Sequence, residues 1–193
     1  MTNITIPNRV TGIAAGTFNC CAKLAGITLP AGLTSVGDSA FNNSGLAAIT
    51  FPAGLVSLGS WAFQYSYSLT ALYFKGNAPS LGDYSFAGDW ATVYYLPGTT
   101  GWDATFGGLT TALWWLPNPL ILDSGSGFGV QSNGFGFVIS WATNLSVVVE
   151  ACTNLANPTW LPVITNPLVG GSADFRDARW TNYTRRFYRL QSP

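Results

Sequence analysis

The chain has 193 residues, of which 48% are hydrophobic and only 8% charged, against roughly 25% charged in ordinary soluble proteins. Eight Lys and Arg balance eight Asp and Glu, so no global field draws the chain to nucleic acid. No run of about 18 apolar residues offers a membrane span, and the absence of His removes the usual general base of Ser and Cys hydrolases and the commonest zinc ligand.

From the first residues onward the chain repeats itself. Phe18, Phe41, Phe63 and Phe86 are spaced by 23, 22 and 23 residues. Ile4, Ile27, Ile49 and Leu72 keep the same steps, as do Ile13, Val36, Leu58 and Leu81. Pro7, Pro30 and Pro52 mark one turn in three copies, and Gly37, Gly59 and Gly82 follow the second apolar column. A period of about 20–29 residues belongs to solenoids of the leucine-rich type. Within the unit LAGITLPAGLTSVGDSAFNNSGL (24–46), Leu24, Ile27 and Leu29 mark a short strand, and Pro30, without an N–H, ends it. LTSVG is a second short strand, Gly37 allows a tight bend, and Phe41 fills the coil. One such turn cannot bury its apolar side alone, whereas stacked turns can, with strands about 4.8 Å apart in a parallel ladder.

ITIPNRVTGIAAGTFNCC, ITLPAGLTSVGDSAFNNSGL and ITFPAGLVSLGSWAFQYSYSL resemble the BspA-like leucine-rich repeats, whose unit has the form LTSITIP–x–SVTSIG–x–xAF–x–xC. The resemblance covers residues 3 to 90. It implies a right-handed β-solenoid on secreted or surface-attached bacterial proteins that adhere and bind rather than catalyse. The chain departs from the pattern at the cysteine column, where Cys21 is followed by Ser44, Ser66 and Asp89.

Two sets of outward residues are the candidate contact surfaces. Thr5, Thr28, Thr50 and Tyr73 should line the outer face of the strands as a β surface rich in hydroxyls. The position two before each Phe holds Gly16, Ser39, Trp61 and Tyr84, with Tyr65, Tyr67 and Trp90 nearby. Trp61 and Tyr84 are expected to be stacked neighbours. This aromatic strip either stacks on sugar rings or partner side chains, or packs against a following domain or a neighbouring chain.

Residues 91–116 should close the solenoid, with VYYLP as a last strand and a short helical turn around Trp102 to Phe106. This stretch looks like a capping tail, VYYLPGTTGW–x–x–TFGG–x–xTALW, found with this repeat family in bacterial proteins. Residues 117–134 read as a linker stiffened by Pro117 and Pro119 and loosened by Gly and Ser. In residues 135–193, FGFVISW, LSVVVEAC, WLPVIT, ADFRDA and RRFYRLQ are five candidate strands, with Trp141, Trp160, Trp180 and Phe187 expected to supply core volume. This part resembles a C-terminal module of secreted proteins of environmental bacteria, notably Verrucomicrobia-like ones. The expected fold is therefore mainly β: a leucine-rich-repeat solenoid of about four coils with its cap over 1–116, a linker over 117–134, and a small antiparallel β-sandwich-like domain over 135–193.

Catalytic and metal chemistry find little support. The acids are scattered singly, and nothing in the sequence makes Asp83 and Asp89 a glycosidase pair. GSGFG (125–129) opens no helix, so a phosphate loop is not expected. Asp174 and Asp177 beside Arg176 and Arg179 make a poor calcium site. No cofactor or metal is expected. Cys20 and Cys152 should be unpaired, and Cys21 a small buried hydrophobe. The last 24 residues carry Arg176, Arg179, Arg185, Arg186 and Arg189 against only Asp174 and Asp177. The preferred reading is solvated strand ends paired with those two acids, over an anion-binding patch.

Met1 leads directly into a repeat with no visible signal peptide, so the expectation is a C-terminal portion of a longer architecture or a truncated reading frame. The leading functional expectation is a non-enzymatic extracellular or cell-surface protein that binds a protein or glycan. Its contact residues would be Thr28, Thr50, Tyr73, Trp61, Tyr84, Tyr65 and Tyr67. The alternative is a structural role in which the uncapped N-terminal coil and the aromatic strip mediate self-association, end to end into filaments or a surface layer. A carbohydrate-active enzyme using Asp83 or Glu150 comes third.

Overall fold

The computed structural model describes residues 2–123, 127–141 and 144–191. Two compact units divide the chain: Met1–Tyr95 with Thr99–Trp114, and Leu96–Gly98 with Trp115–Pro193. Both are built of strands, and the one helical element among the described residues is a 3-10 turn at Trp180–Asn182.

The first unit is a β-solenoid of about four turns. One side of each turn is a strand with its apolar residue inward: β1 (Asn3–Thr5), β3 (Gly26–Thr28), β5 (Ala48–Phe51), β7 (Ala71–Phe74) and β9 (Thr92–Tyr95). The second side is shorter: β2 (Gly12–Ile13), β4 (Ser35–Val36), β6 (Ser57–Leu58) and β8 (Ser80–Leu81). Both ladders are parallel and in the register the repeat implies, with Ile4 opposite Ile27, Ile49 opposite Leu72, and Val36 between Ile13 and Leu58. The Phe column stacks through the interior, with centroids 5.2, 5.0 and 5.8 Å apart along Phe18, Phe41, Phe63 and Phe86. Leu33, Phe41, Leu46, Phe51, Phe63, Leu72 and Val93 are fully buried around it.

The glycine column has a different cause from a bend. Gly37 and Gly59 are not in the left-handed region; instead each backbone lies against the preceding turn. A Cβ at Gly37 would stand 2.6 Å from Ala15 N, and one at Gly59 would stand 2.5 Å from Asp38 N. The 22-residue step also has a structural consequence. The corner Ser44–Gly45–Leu46 is one residue shorter than Cys21–Ala22–Lys23–Leu24 and Ser66–Tyr67–Ser68–Leu69, and it presses Gly45 onto the Ala22 carbonyl, where no Cβ fits. The first-side ladder breaks at the same place: β3 pairs β1, and β5 begins a second sheet with β7 and β9.

The last turn is covered by β10 (Thr105–Phe106) and β11 (Leu109–Leu113), β11 pairing in parallel with β9 and antiparallel with β10. No helical turn forms at Trp102–Phe106. Gly107 and Gly108, at φ 59° and 86°, form a two-residue hairpin loop, and two adjacent positive φ values are what such a loop needs. Trp102 and Phe106 lie 5.0 and 5.8 Å from Phe74 and close the apolar end.

The second unit holds two antiparallel sheets. In one, β14 (Gly134–Ser140) pairs with β12 (Leu120–Leu122), β13 (Gly129–Gln131) and β17 (Ser172–Asp177); in the other, β15 (Ser146–Cys152) lies between β16 (Leu161–Pro167) and β18 (Phe187–Gln191). Strands β14 to β18 are the five read from the sequence, whereas β12 and β13 lie in the stretch read as a linker. Its Leu120–Ile121–Leu122 and Gly129–Val130–Gln131 segments find backbone partners along β14 despite the Gly and Ser around them. Residues 125 and 126 of the GSGFG stretch lie outside the described residues. Phe137, Ile139, Phe175, Val147, Val149 and Leu168 form one core fed by both sheets. Phenylalanine rather than tryptophan fills it. Trp141 packs only partly against the core and donates Nε1–H to Leu116 O at 3.0 Å, and Trp160 lies under the Arg189 guanidinium at 4.6 Å.

Candidate binding faces of the solenoid

The third side of each turn is not a strand, and it carries the aromatic residues. Its amides alternate. Gly16, Phe18 and Cys20 donate to Asp38, Ala40 and Asn42 O in the next turn at 2.8, 2.7 and 2.8 Å, while Thr17, Asn19 and Cys21 donate three residues back within their own turn. The following turns repeat this, as in Trp61 N to Asp83 O at 2.9 Å and Phe63 N to Ser85 O at 2.8 Å. The zigzag places two positions per turn in the left-handed region. One column is Gly16, Ser39, Trp61 and Tyr84, at φ 66°, 53°, 54° and 55°; the other is Cys20, Asn43, Tyr65 and Gly88, at φ 57°, 51°, 61° and 85°. An L-residue pays about 1–2 kcal/mol in that region, which Gly avoids and Asn lessens. Gly16, Asn43 and Gly88 are therefore the signal by which these columns could have been found.

Trp61, Tyr65 and Tyr84 occupy these strained positions and still expose 43%, 47% and 70% of their surface. At the adjoining corner Tyr67 is 70% and Trp90 91% exposed, one turn apart in the same column. The Tyr65 and Tyr67 rings are 6.0 Å apart, and the Tyr65 ring lies over Gly88, where a Cβ would come within 2.9 Å of Cδ1. The expected stacking of Trp61 on Tyr84 is not formed, although their backbones are neighbours. Each side chain projects separately from its left-handed backbone.

The threonines form a different face. Thr5 is opposite Thr28, and Thr50 is opposite Tyr73, on the outer surface of the first side. The face turns aromatic toward the closed end, with Tyr73 stacked on Tyr94 at 5.0 Å and tilted against Trp114 at 4.8 Å. Thr28, Thr50 and Tyr73 thus share one side of the solenoid. Trp61, Tyr65 and Tyr84 share another, and Tyr67 stands at the corner that leads from it.

The cysteine column runs inside the wall. Ser44 and Ser66 hydroxyls are 3.2 Å apart, and Ser66 Oγ donates to Phe41 O at 2.8 Å, so substituting Ser for Cys builds a short internal hydrogen-bond ladder. Asp89 ends the column with neither carboxylate oxygen hydrogen-bonded. Burial pushes its pKa up to about 7; the Ser66 amide pulls the other way but is already committed to Phe63 O at 3.0 Å. Cys20, Cys21 and Cys152 are all unpaired, with Cys21 half-buried against the core and Cys152 buried. No group of three or more His, Cys, Asp or Glu converges among the described residues, and no helix among them is long and apolar enough to cross a membrane.

Residues 1–99 match the family described as BspA type leucine rich repeat region, in 6 copies. Solved structures similar to this chain include a leucine rich cell surface protein from Faecalibacterium prausnitzii, at 32% identity and TM-score 0.38 over 38% of this chain and 20% of that one. Another is a leucine-rich repeat protein from Bacteroides ovatus, at 24% identity and TM-score 0.44 over 49% of this chain and 25% of that one. The chain therefore spans a quarter or less of the length of these two proteins. No curated protein matches it. The family match extends over more than half of the sequence, and the chain belongs to the BspA-type leucine-rich repeat family.

Proposed function

We propose that the protein is a non-enzymatic, extracellular or cell-surface binding module that takes a protein or glycan partner on the aromatic side of its solenoid. The reading rests on one observation: Trp61, Tyr65 and Tyr84 sit at left-handed positions, where the same fold elsewhere uses Gly, Ser, Cys or Asn, and they fill no core there. Bulky side chains kept at a backbone cost with their rings in water suit contact rather than folding. With Tyr67 and Trp90 they form an aromatic surface on two successive turns, able to stack on a sugar ring or receive apolar side chains. The threonine face is the second contact surface.

The test is a panel of glycans and secreted or surface proteins probed with the intact chain and with a Trp61→Ala, Tyr84→Ala double variant. Removal of two exposed rings should cost binding about 10-fold or more, at about 1–3 kcal/mol each for interface aromatics, and leave the melting temperature unchanged. Equal binding by both proteins would refute the assignment of this face.

A further inference from the structure

The second unit contains an opening that the solenoid reading does not use. Its two sheets share a core, but along the edges formed by β16 and the end of β17 the gap between them stays open. A cavity of about 610 Å³ lies there, within the roughly 300–1,000 Å³ range of small-molecule pockets. Its apolar wall is β16, where Leu161, Val163 and Ile164 remain exposed although Ile164 stands opposite the buried Val149. Its polar wall carries Asp177, Arg179 and Arg186, two arginines against one carboxylate, while the Arg176 side chain lies over Gly136 on the sheet face opposite the buried Phe175.

Asp177 does not neutralise this wall; it organises it. Buried itself, it accepts from Arg179 N–H at 2.9 Å and Tyr188 Oη–H at 2.8 Å, and stands 2.8 Å from Arg186 Nε. The Arg186–Asp177 contact meets the distance of an ion pair, but the Nε–H is not aimed at the carboxylate and finds no acceptor. Arg186 is also stacked on Tyr183, 4.0 Å above its centroid. Arg176 is anchored through one nitrogen, which donates to Gly127 O at 3.2 Å and Phe175 O at 2.8 Å. The Arg179 guanidinium has no acidic partner among the described residues. One positive charge is left over, that of the exposed Arg179, and Arg186 is fixed in place between Asp177 and the Tyr183 ring. The arginine-rich tail is thus only partly paired: Asp177 takes Arg186, and Glu150 takes Arg189.

We propose that this cleft binds an acidic sugar unit, with a carboxylate or sulfate group on the arginines and the C–H face of the ring against β16. A guanidinium fork matches planar or multi-oxygen anions. Ile164 and Val163 give the uncharged part of the ligand an apolar surface. An acidic peptide is the poorer occupant, because β16 carries Pro162 and Pro167, which lack the N–H groups that strand addition needs. The site lies wholly within the second unit and is independent of the aromatic side of the solenoid.

The experiment is calorimetric titration of the full chain at low and physiological salt with four probes: a galacturonic acid trisaccharide, a sulfated chondroitin disaccharide, a neutral galactose trisaccharide and a hexaglutamate peptide. One or both acidic sugars should bind and the neutral sugar should not. Arg179→Ala, at an exposed side chain, should weaken binding about tenfold or more, the value of one charge-assisted hydrogen bond. Arg186→Lys keeps the charge without the fork and should also weaken it, with thermal melting confirming that the variant is folded. No binding of either acidic sugar, tighter binding of the hexaglutamate, or an Arg179→Ala variant that binds as well as the parent would overturn the proposal.

Discussion

Replacing Asp89 with Ser should stabilise the solenoid, and by an amount that depends on pH. In the turn before, Ser66 occupies the same column and its hydroxyl bonds the Phe41 carbonyl at 2.8 Å. Asp89→Ser extends that ladder and removes a buried carboxylate with no hydrogen bond of its own. The folded-state pKa of Asp89 is raised by burial to about 7 from the ordinary 3.8. Between those values the folded chain holds a proton that the unfolded chain releases, so the wild type loses stability as pH rises from about 4 and levels off above about 7. The full shift corresponds to about 4 kcal/mol at about 1.36 kcal/mol per pKa unit. Solvent still reaches part of the site and screens it, so about 1–3 kcal/mol is the expected penalty at pH 8. For a unit of this size that is a melting-temperature gain of roughly 4–12 °C for the Ser variant at pH 8. The gain should shrink at pH 5, where Asp89 is protonated in the fold. Thermal melts of both proteins at pH 5, 6, 7 and 8 measure the difference directly, and the other acids cancel in it. A difference that is the same at every pH, or a Ser variant less stable at pH 8, would refute the reasoning.

Other expectations concern packing. Phe63→Ala removes a fully buried ring that touches Phe41, Phe51 and Phe86, and should cost about 3–5 kcal/mol in a denaturant titration. Gly59→Ala places a methyl 2.5 Å from the Asp38 amide and should lower the melting temperature sharply. Gly54→Ala meets only Leu33 O, at 3.9 Å, and should be nearly neutral in the same assay. Ser66→Ala removes the hydroxyl that bridges the Ser44 amide and the Phe41 carbonyl, which still bond each other at 3.2 Å, and should cost about 0.5–1.5 kcal/mol, read by chemical denaturation.

The parts of this fold legible in the sequence are those where stacking forces one residue type to recur. Phe18, Phe41, Phe63 and Phe86 are a column because a ring in one turn is best covered by a ring in the next, and the apolar columns of both ladders follow the same logic. The glycine column was equally visible, but its reason was not. Close approach of two backbones and a tight bend both select Gly, and only the neighbouring turn at Ala15 and Asp38 distinguishes them. The left-handed columns stayed hidden because Gly16, Ser39, Trp61 and Tyr84 share a backbone angle and no side-chain chemistry. The two sets of candidate contact residues, the threonine column and the aromatic strip, occupy two sides and a corner. β12 and β13 are not legible because their partner lies along β14, and local Gly, Ser and Pro content says nothing about a distant edge. The open cleft between β16 and β17 has no sequence signature beyond its arginines, whose pairing depends on which of them reaches Asp177.

The central claim is that the aromatic side of the solenoid is the contact surface, and hydroxyl-radical footprinting of the intact chain tests it most directly. With a partner found on the glycan and protein panel, oxidation of individual side chains is compared with and without that partner. The account predicts protection of Trp61, Tyr65, Tyr84 and Trp90 together, while the exposed Trp115 of the second unit reacts as before. Protection confined to Trp115 and Tyr183, with the solenoid aromatics reacting unchanged, would contradict it.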